Sequence, residues 1–219
     1  MIAEQLKVEI EGYAERLRSS SRLLCKARNG ELAPRVVQTF LWNIRYVLGE
    51  TPRNLELAQR VAVARGQAEL SAFYGEKIGE ESGHDRWAEH DLLSLNPELD
   101  LASALAPLDP LAELMTFLRA TIRREPSEFL VYMLFVEYLT VLLGPEWLAA
   151  LEARCGIPSS SMTSIGRHVE LDKHHVEDDL ATIRALLPAD ADPGALISTL
   201  RRFMSYWERF YDQLAELPN

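Results

Sequence analysis

The chain has 219 residues, 47% of them hydrophobic, and a formal net charge of −10. This composition predicts one domain with a substantial core, and the charge excludes nucleic acid and anionic membranes as natural partners. The two cysteines, Cys25 and Cys155, lie far apart in the sequence and form no disulfide framework. The amino terminus lacks the apolar stretch of a signal peptide, so we expect a cytoplasmic protein with reduced thiols.

Apolar residues recur every three or four positions along most of the chain, a pattern that predicts helices separated by proline and glycine. The first predicted helix continues to Asn29-Gly30, and the second stops at Gly49. Thr51-Pro52 has the form of a capping residue followed by proline at the first helical position, so it predicts a new helix start. A break or kink is expected at Gly66, and the following helix runs to about Leu93.

The second half of the chain shows the same punctuation. Asp109-Pro110 and Pro126 open two more helices, and the second of them is predicted to stop at Gly144-Pro145. No segment shows the alternation of a strand, so the sequence predicts an all-α bundle of eight to nine helices. The remaining three helices are predicted at about 146–155, at 159–187 with serines 159–161 as caps, and at 192–216.

The most apolar part of the chain, FLVYMLFVEYLTVLL at 129–143, holds one carboxylate, Glu137. A membrane span needs about 20 apolar residues. This shorter, interrupted run therefore predicts a central helix that is buried on all sides. Because a buried unpaired carboxylate is costly, Glu137 is expected to be protonated, paired with a buried arginine or bound to a metal ion.

Three of the five histidines of the chain fall within eight residues of the segment GRHVELDKHHVEDDL, residues 166–180. His168, Asp172 and His175 stand at offsets of zero, four and seven. Residues with this spacing share one helical face over two turns. The segment therefore presents two imidazoles and one carboxylate in the same direction.

Glu81 and His84, at i and i+3, form another pair that shares a helical face. With Glu137 and the stripe on 166–180, the chain offers three carboxylates and three imidazoles from three helices. Helical bundles build dinuclear iron or manganese sites from Glu-x-x-His pairs and carboxylates that project inward. Two other interpretations stay open, which are a wet polar surface and an interhelical salt-bridge network.

This pattern resembles the heme-oxygenase-like diiron oxidases and oxygenases, which place a Glu and a His on one helix, a Glu on a second and His-x-x-x-Asp-x-x-His on a third. The resemblance covers about residues 35–185. Its Glu-x-x-His spacing is similar to the branch that contains a fatty-acid decarboxylase. It implies the helical fold shared by heme oxygenase and the TenA thiaminases. It also implies six metal ligands, which are Glu81, His84, Glu137, His168, Asp172 and His175.

The resemblance further implies two Fe(II) ions, with the second ion held more weakly, and dioxygen as co-substrate. The implied chemistry proceeds through a peroxo-diferric intermediate that oxidises a small amino acid or fatty acid by carbon–carbon cleavage, desaturation or oxygenation. An external electron donor and a homodimer are expected. No haem is expected because no histidine precedes His84. The first iron is expected at Glu81, His84 and His168, and the second at Asp172 and His175, with Glu137 bridging them.

Four residues lie one or two helical turns before the ligands and are the predicted walls of a substrate cavity, namely Tyr74, Lys77, Met133 and Ser164. Ordinary core packing is the alternative for these side chains, and a helical lysine is usually solvated. Two alternatives to the oxidase also remain. They are a TenA-like hydrolase with a catalytic cysteine and a non-catalytic helical binding protein of the same fold.

Overall fold

The computed structural model describes residues 2–102, 105–188 and 190–218. Its regular structure is entirely helical within these ranges, which confirms the all-α prediction. Two short 3₁₀ turns, at Pro126–Glu128 and Ser159–Ser161, precede the seventh and eighth helices. The nine α-helices of the described residues are α1 Ile2–Ser20, α2 Arg22–Asn29, α3 Pro34–Ala64, α4 Ala68–Glu81, α5 Asp85–Leu95, α6 Asp109–Arg124, α7 Phe129–Cys155, α8 Thr163–Leu186 and α9 Pro193–Glu216.

The helices pack in two groups around a shared core. α7 contacts α1, α2 and α8, α3 contacts α4, α5 and α6, and α9 contacts members of both groups. The segment Pro126–Cys155 is long and apolar enough to cross a membrane, but 72% of its most apolar window is buried inside the protein. An apolar helix in this environment is a core helix, as the sequence predicts for α7.

Two predicted helix boundaries are wrong. α3 continues through Gly49 and Pro52, and α7 continues through Gly144 and Pro145. A proline inside a helix removes one backbone hydrogen bond and costs about 3 kcal/mol. Buried side chains lie on both sides of each proline. Tertiary packing therefore offsets the cost of each proline, whereas the local sequence pattern predicts that the helix ends there.

Two other predicted helices are each divided. The first helix of the chain is interrupted at Ser21, whose backbone is extended. Gly66 ends α3 with a positive φ of 72°, as predicted, but the helix after it is interrupted at Gly83, where φ is +90°. Residues other than glycine adopt this left-handed conformation only with strain. The second division matters most because it falls between Glu81 and His84.

α7 and α8 approach each other closely, and a glycine makes the approach possible. A Cβ added at Gly144 would lie 2.4 Å from Cγ2 of Val169. Any larger residue at 144 would require the Val169 side chain or the backbone to shift. This close packing sets Glu137 of α7 opposite Asp172 and His175 of α8.

Candidate metal centre

The junction between α4 and α5 brings Glu81 and His84 together. Glu81 is the last residue of α4, and His84 directly precedes α5. The His84 amide donates to the Glu81 carbonyl at 3.4 Å. His84 Nδ1 lies 3.2 Å from Glu81 Oε2, and both side chains are buried. The pair predicted to share one continuous helix is therefore held by a tight turn.

The first turn of α8 is fixed by a carboxylate from another helix, Asp91 of α5. Its Oδ1 accepts hydrogen bonds from Thr163 N (2.9 Å) and Oγ1 (2.6 Å), and its Oδ2 accepts from Ser164 N and Oγ (both 2.7 Å). Asp91 is fully buried. A negative charge at a helix amino terminus satisfies unpaired amides and is favoured by the helix dipole. The predicted caps, serines 159–161, form a 3₁₀ turn instead, so that prediction is wrong.

The orientation of His168 follows from this first turn. Its Nδ1 lies 2.7 Å from the Ser164 carbonyl oxygen. Because a carbonyl can only accept, Nδ1 is the donor in this contact, so in the neutral ring Nε2 is the nitrogen that carries the lone pair. Nε2 is buried and has no hydrogen-bond partner among the described residues. A backbone carbonyl that holds one imidazole nitrogen while the other points inward is a common arrangement for a metal-binding histidine.

Ligand atoms converge in two groups that share one carboxylate. Atoms of Glu81, His84 and His168 lie within 4.8 Å of one another, and atoms of Glu81, Glu137 and His175 do the same. Consider two ligand atoms that each lie about 2.1 Å from one ion. They are about 3.0 Å apart when the ligand–ion–ligand angle is 90°, and about 4.2 Å apart when they lie on opposite sides of the ion. The size of each group is therefore compatible with one ion. Glu81 belongs to both groups, whereas the resemblance implied that Glu137 bridges.

The sixth predicted ligand, Asp172, adjoins the second group. Its Oδ1 is 3.6 Å from His175 Nδ1, and Glu137 Oε1 is 3.9 Å from the same nitrogen. These separations are too long for hydrogen bonds. Accordingly, His175 Nδ1 and Glu137 Oε2 are buried without a partner among the described residues. Buried polar atoms in need of a partner, all of them nitrogen and carboxylate donors, fit a divalent metal ion.

We define the candidate metal centre as the set of all six predicted ligands, which are Glu81, His84, Glu137, His168, Asp172 and His175. Four of these side chains are buried and two histidines are half-buried, so the interpretation as a wet surface is wrong. A salt-bridge network would account for the contact between Glu81 and His84 but leaves the orphaned atoms unexplained.

The pKa values of the three carboxyl groups are shifted in different directions, although burial acts to raise each of them. Burial opposes ionisation of Glu81, but the hydrogen bond from His84 and the charges of the other histidines outweigh it and lower the pKa. Burial, together with the charge of Asp179, raises the pKa of Glu137 well above its usual range. Burial also raises the pKa of Asp172. A cation that binds here would therefore displace protons, which makes binding dependent on pH.

Asp179 is a buried acid that the sequence analysis missed. It lies one turn after His175, is fully buried and has no hydrogen-bond partner for either oxygen among the described residues. Burial raises its pKa to about 7, against the attraction of Lys77. The spacing of four residues from His175 is the signal that could have identified it, because it continues the ligand stripe by one turn.

Replacing Asp179 with asparagine should change how the stability of the metal-free protein depends on pH. Burial raises the pKa of Asp179 from 3.8 to about 7, so between these values the folded state binds more protons than the unfolded chain. The free energy of unfolding of the wild type therefore falls as pH rises through this window. The wild type should lose on the order of 3 kcal/mol of unfolding free energy across this pH window, and Asp179→Asn should not. Urea unfolding at several pH values, with a chelator present, measures the difference. Asp178→Asn, at the exposed neighbouring position, is the control and should show the pH dependence of the wild type. If the unfolding free energy of Asp179→Asn depends on pH as that of the wild type does, Asp179 is not the group responsible.

A cavity of about 110 Å³ adjoins the candidate metal centre. Four of the six predicted ligands line one side of it. Met133 is the one predicted cavity residue on its wall. The remaining wall is largely apolar and includes Ile44, Val47, Leu48, Phe129, Val136 and Ile165.

The other three predicted cavity residues do not line this wall. The Tyr74 hydroxyl donates to the Pro126 carbonyl at 2.6 Å. Lys77 is buried and its Nζ lies 2.9 Å from Glu80 Oε2. The Ser164 hydroxyl is committed to the cap of α8. Each of these side chains already has a structural partner, so helical spacing from a ligand was not enough to predict a cavity wall.

Comparison with known proteins identifies the fold. No protein-family model and no curated protein sequence matches the chain. A domain of unknown function with a heme oxygenase-like fold from Shewanella denitrificans superposes with a TM-score of 0.85 and 16% identity, over 96% of this chain and 90% of its own. The fold is heme oxygenase-like. The predicted fold class is thereby confirmed.

Two further solved structures share this heme oxygenase-like fold. A TenA homologue from Pseudomonas syringae pv. tomato has a TM-score of 0.75 and 16% identity, over 99% of this chain and 93% of its own. A CADD-like protein of unknown function from Nostoc punctiforme has a TM-score of 0.70 and 14% identity, over 97% of this chain and 98% of its own. Similarity at these identities shows the fold alone, so function has to be argued from the residues of the site.

Proposed function

We propose that this heme oxygenase-like chain is a non-haem iron-dependent oxidase or oxygenase that uses dioxygen to oxidise a small substrate. The observation that carries the proposal is the convergence of three imidazoles with the Glu81 and Glu137 carboxylates inside the bundle, with Asp172 beside them. Several of these buried atoms lack a partner within the described part of the chain. Imidazole and carboxylate donors without thiolate suit iron or manganese better than copper(I) or structural zinc.

Each of the two groups of ligand atoms would hold one ion. Glu81, His84 and His168 would hold one ion, and Glu137 and His175 would hold the other, with Asp172 beside it and Glu81 shared. Bound iron would supply dioxygen activation and one-electron redox chemistry.

The protein residues supply orientation and a dry reaction space. The Ser164 carbonyl holds the proton of His168 at Nδ1, so the ring presents Nε2 toward the centre. The apolar wall around Met133 and Phe129 excludes water and would hold an apolar part of the substrate next to the carboxylates of the centre. An amino acid or fatty acid of modest length is the substrate class that this combination favours.

A TenA-like hydrolase is the second candidate, and the similarity to a TenA homologue supports it at the level of fold. That chemistry requires a reactive cysteine near the site. Cys25 is exposed on α2, and Cys155 lies at the end of α7 with its thiol on the Ala27 carbonyl. Neither belongs to the metal-ligand groups or lines the adjoining cavity. These positions favour the iron-dependent oxidase over the hydrolase.

Anaerobic titration with Fe(II) tests the proposal. We expect the protein to bind about two ions per chain. Once loaded, it should consume dioxygen faster than free Fe(II) does, and a substrate should increase that rate. A chelator should abolish the dioxygen uptake, and alkylation of both cysteines should leave it unchanged. Failure to bind Fe(II), or an activity that survives chelation and is lost on alkylation, would refute the oxidase and favour the alternatives.

A further inference from the structure

The indole of Trp87, on α5, packs directly on two imidazoles of the candidate metal centre. Its ring is stacked on His84, with centroids 3.9 Å apart and planes 22° from parallel. It also meets the His168 ring edge to face at a centroid distance of 5.4 Å. Among the described residues, Trp87 is the one tryptophan, tyrosine or phenylalanine whose ring packs on these histidines.

Trp87 also reaches the protein surface. Its side chain is half-exposed and lines an open surface groove together with Leu148, Met162 and Leu171. The exposed guanidinium of Arg167 lies over the indole, 4.9 Å from the ring centroid. The buried His84 adjoins the same groove, and the half-exposed indole of Trp87 is the aromatic surface that covers its ring on the solvent side.

We propose that Trp87 is the route by which electrons enter the candidate metal centre from an external one-electron donor. The inference rests on the proposed function, because only a centre that cycles between ferrous and ferric iron needs such a route. Two ferric ions gain one electron each, and two equivalents of the donor lose one electron each. No bond forms or breaks.

The physical basis is the contact between π systems. Electron transfer through protein weakens steeply with each gap, and the stacked rings of Trp87 and His84 leave a single gap at van der Waals contact. The neighbouring Arg167 cation disfavours loss of an electron from the indole. Trp87 therefore conducts as a bridge and does not hold a radical. On a protein with a net charge of −10, this cation also attracts an anionic donor to this point.

The first test is reduction of the ferric protein by dithionite in an anaerobic stopped-flow experiment. Trp87→Phe keeps an aromatic ring on α5 but replaces the indole with a smaller ring that bridges less of the distance between the groove and His84. We expect Trp87→Phe to be reduced more slowly than the wild type, because less of the contact between π systems remains. Iron content, ferric absorption spectrum and reduction potential should remain those of the wild type. Reduction at the wild-type rate overturns the proposal. Slower reduction accompanied by lost iron or a shifted potential also overturns it, because Trp87 would then act by supporting its ligand neighbours.

Trp42→Phe is the matched control. Trp42 is another tryptophan beneath an arginine, with Arg45 at 5.3 Å from its ring, and its Nε1 donates to the Leu105 carbonyl. It lies outside the candidate metal centre and the cavity wall. This variant should be reduced at the wild-type rate, and equal slowing in both variants would overturn the proposal.

Arg167→Met provides a second test that leaves the indole in place. Removal of the cation should slow reduction by anionic dithionite and accelerate reduction by the cationic radical of methyl viologen, each by about tenfold at low ionic strength. Identical responses to the two donors would place electron entry elsewhere. The proposed function fails separately, because a wild-type protein that binds no iron, or binds it without consuming dioxygen, refutes the oxidase before Trp87 is tested.

Discussion

Glu81→Gln should abolish binding of both iron ions, because Glu81 contributes an oxygen to each group of ligand atoms. The amide is nearly isosteric with the carboxylate but carries no negative charge to balance two divalent ions. His175→Ala and Asp172→Ala should each remove mainly the second ion, because neither residue belongs to the group formed by Glu81, His84 and His168. Iron content after anaerobic loading and desalting measures the difference between two, one and no ions per chain.

The control for this series is Glu76→Gln, an exposed position on the same helix. Its iron content should equal that of the wild type. Retention of one full ion by Glu81→Gln would mean that Glu81 is not shared, and the bridging role would return to Glu137. Full iron binding in His175→Ala or Asp172→Ala would remove that residue from the ligand set.

Asp91→Ala should lower the free energy of unfolding by about 3 kcal/mol or more, because it leaves buried donors of the first turn of α8 without an acceptor. The carboxylate accepts four hydrogen bonds from Thr163 and Ser164 and is fully buried. Urea unfolding of the metal-free protein measures the loss. Iron content of the folded variant should fall as well, because the Ser164 carbonyl that orients His168 lies in the same turn.

His90→Ala is the control for this prediction. His90 is adjacent in sequence to Asp91, its side chain is 70% exposed, and its Nδ1 lies 3.6 Å from Asp91 Oδ1. Stability should change little, as for most exposed substitutions. Asp91→Asn keeps one acceptor oxygen and should fall between the wild type and the alanine variant. An alanine variant as stable as His90→Ala would show that α8 begins correctly without the cap.

The sequence by itself determined the fold class and the inventory of the candidate metal centre. Helical periodicity and terminal signals are local properties, so α6, α8 and α9 could be predicted within a few residues. The other predicted helices were joined or divided at the wrong places. The stripe of His168, Asp172 and His175 could be recognised for the same reason, because spacing within a helix fixes which side chains share a face. Glu137 was conspicuous because a single charge in an apolar helix requires a partner.

Tertiary structure alone decided how these parts are joined. The sequence signals at Pro52 and Pro145 predicted helix ends, but packing along α3 and α7 outweighs the lost hydrogen bonds. Asp91 caps a helix that begins 72 residues later in the chain, and Trp87 stacks on His84 while it also lines a surface groove. Such contacts depend on how distant helices meet, and no local pattern in the sequence encodes that geometry. The same holds for the place of Glu81 in both groups of ligand atoms, because residues of α4, α7 and α8 meet there.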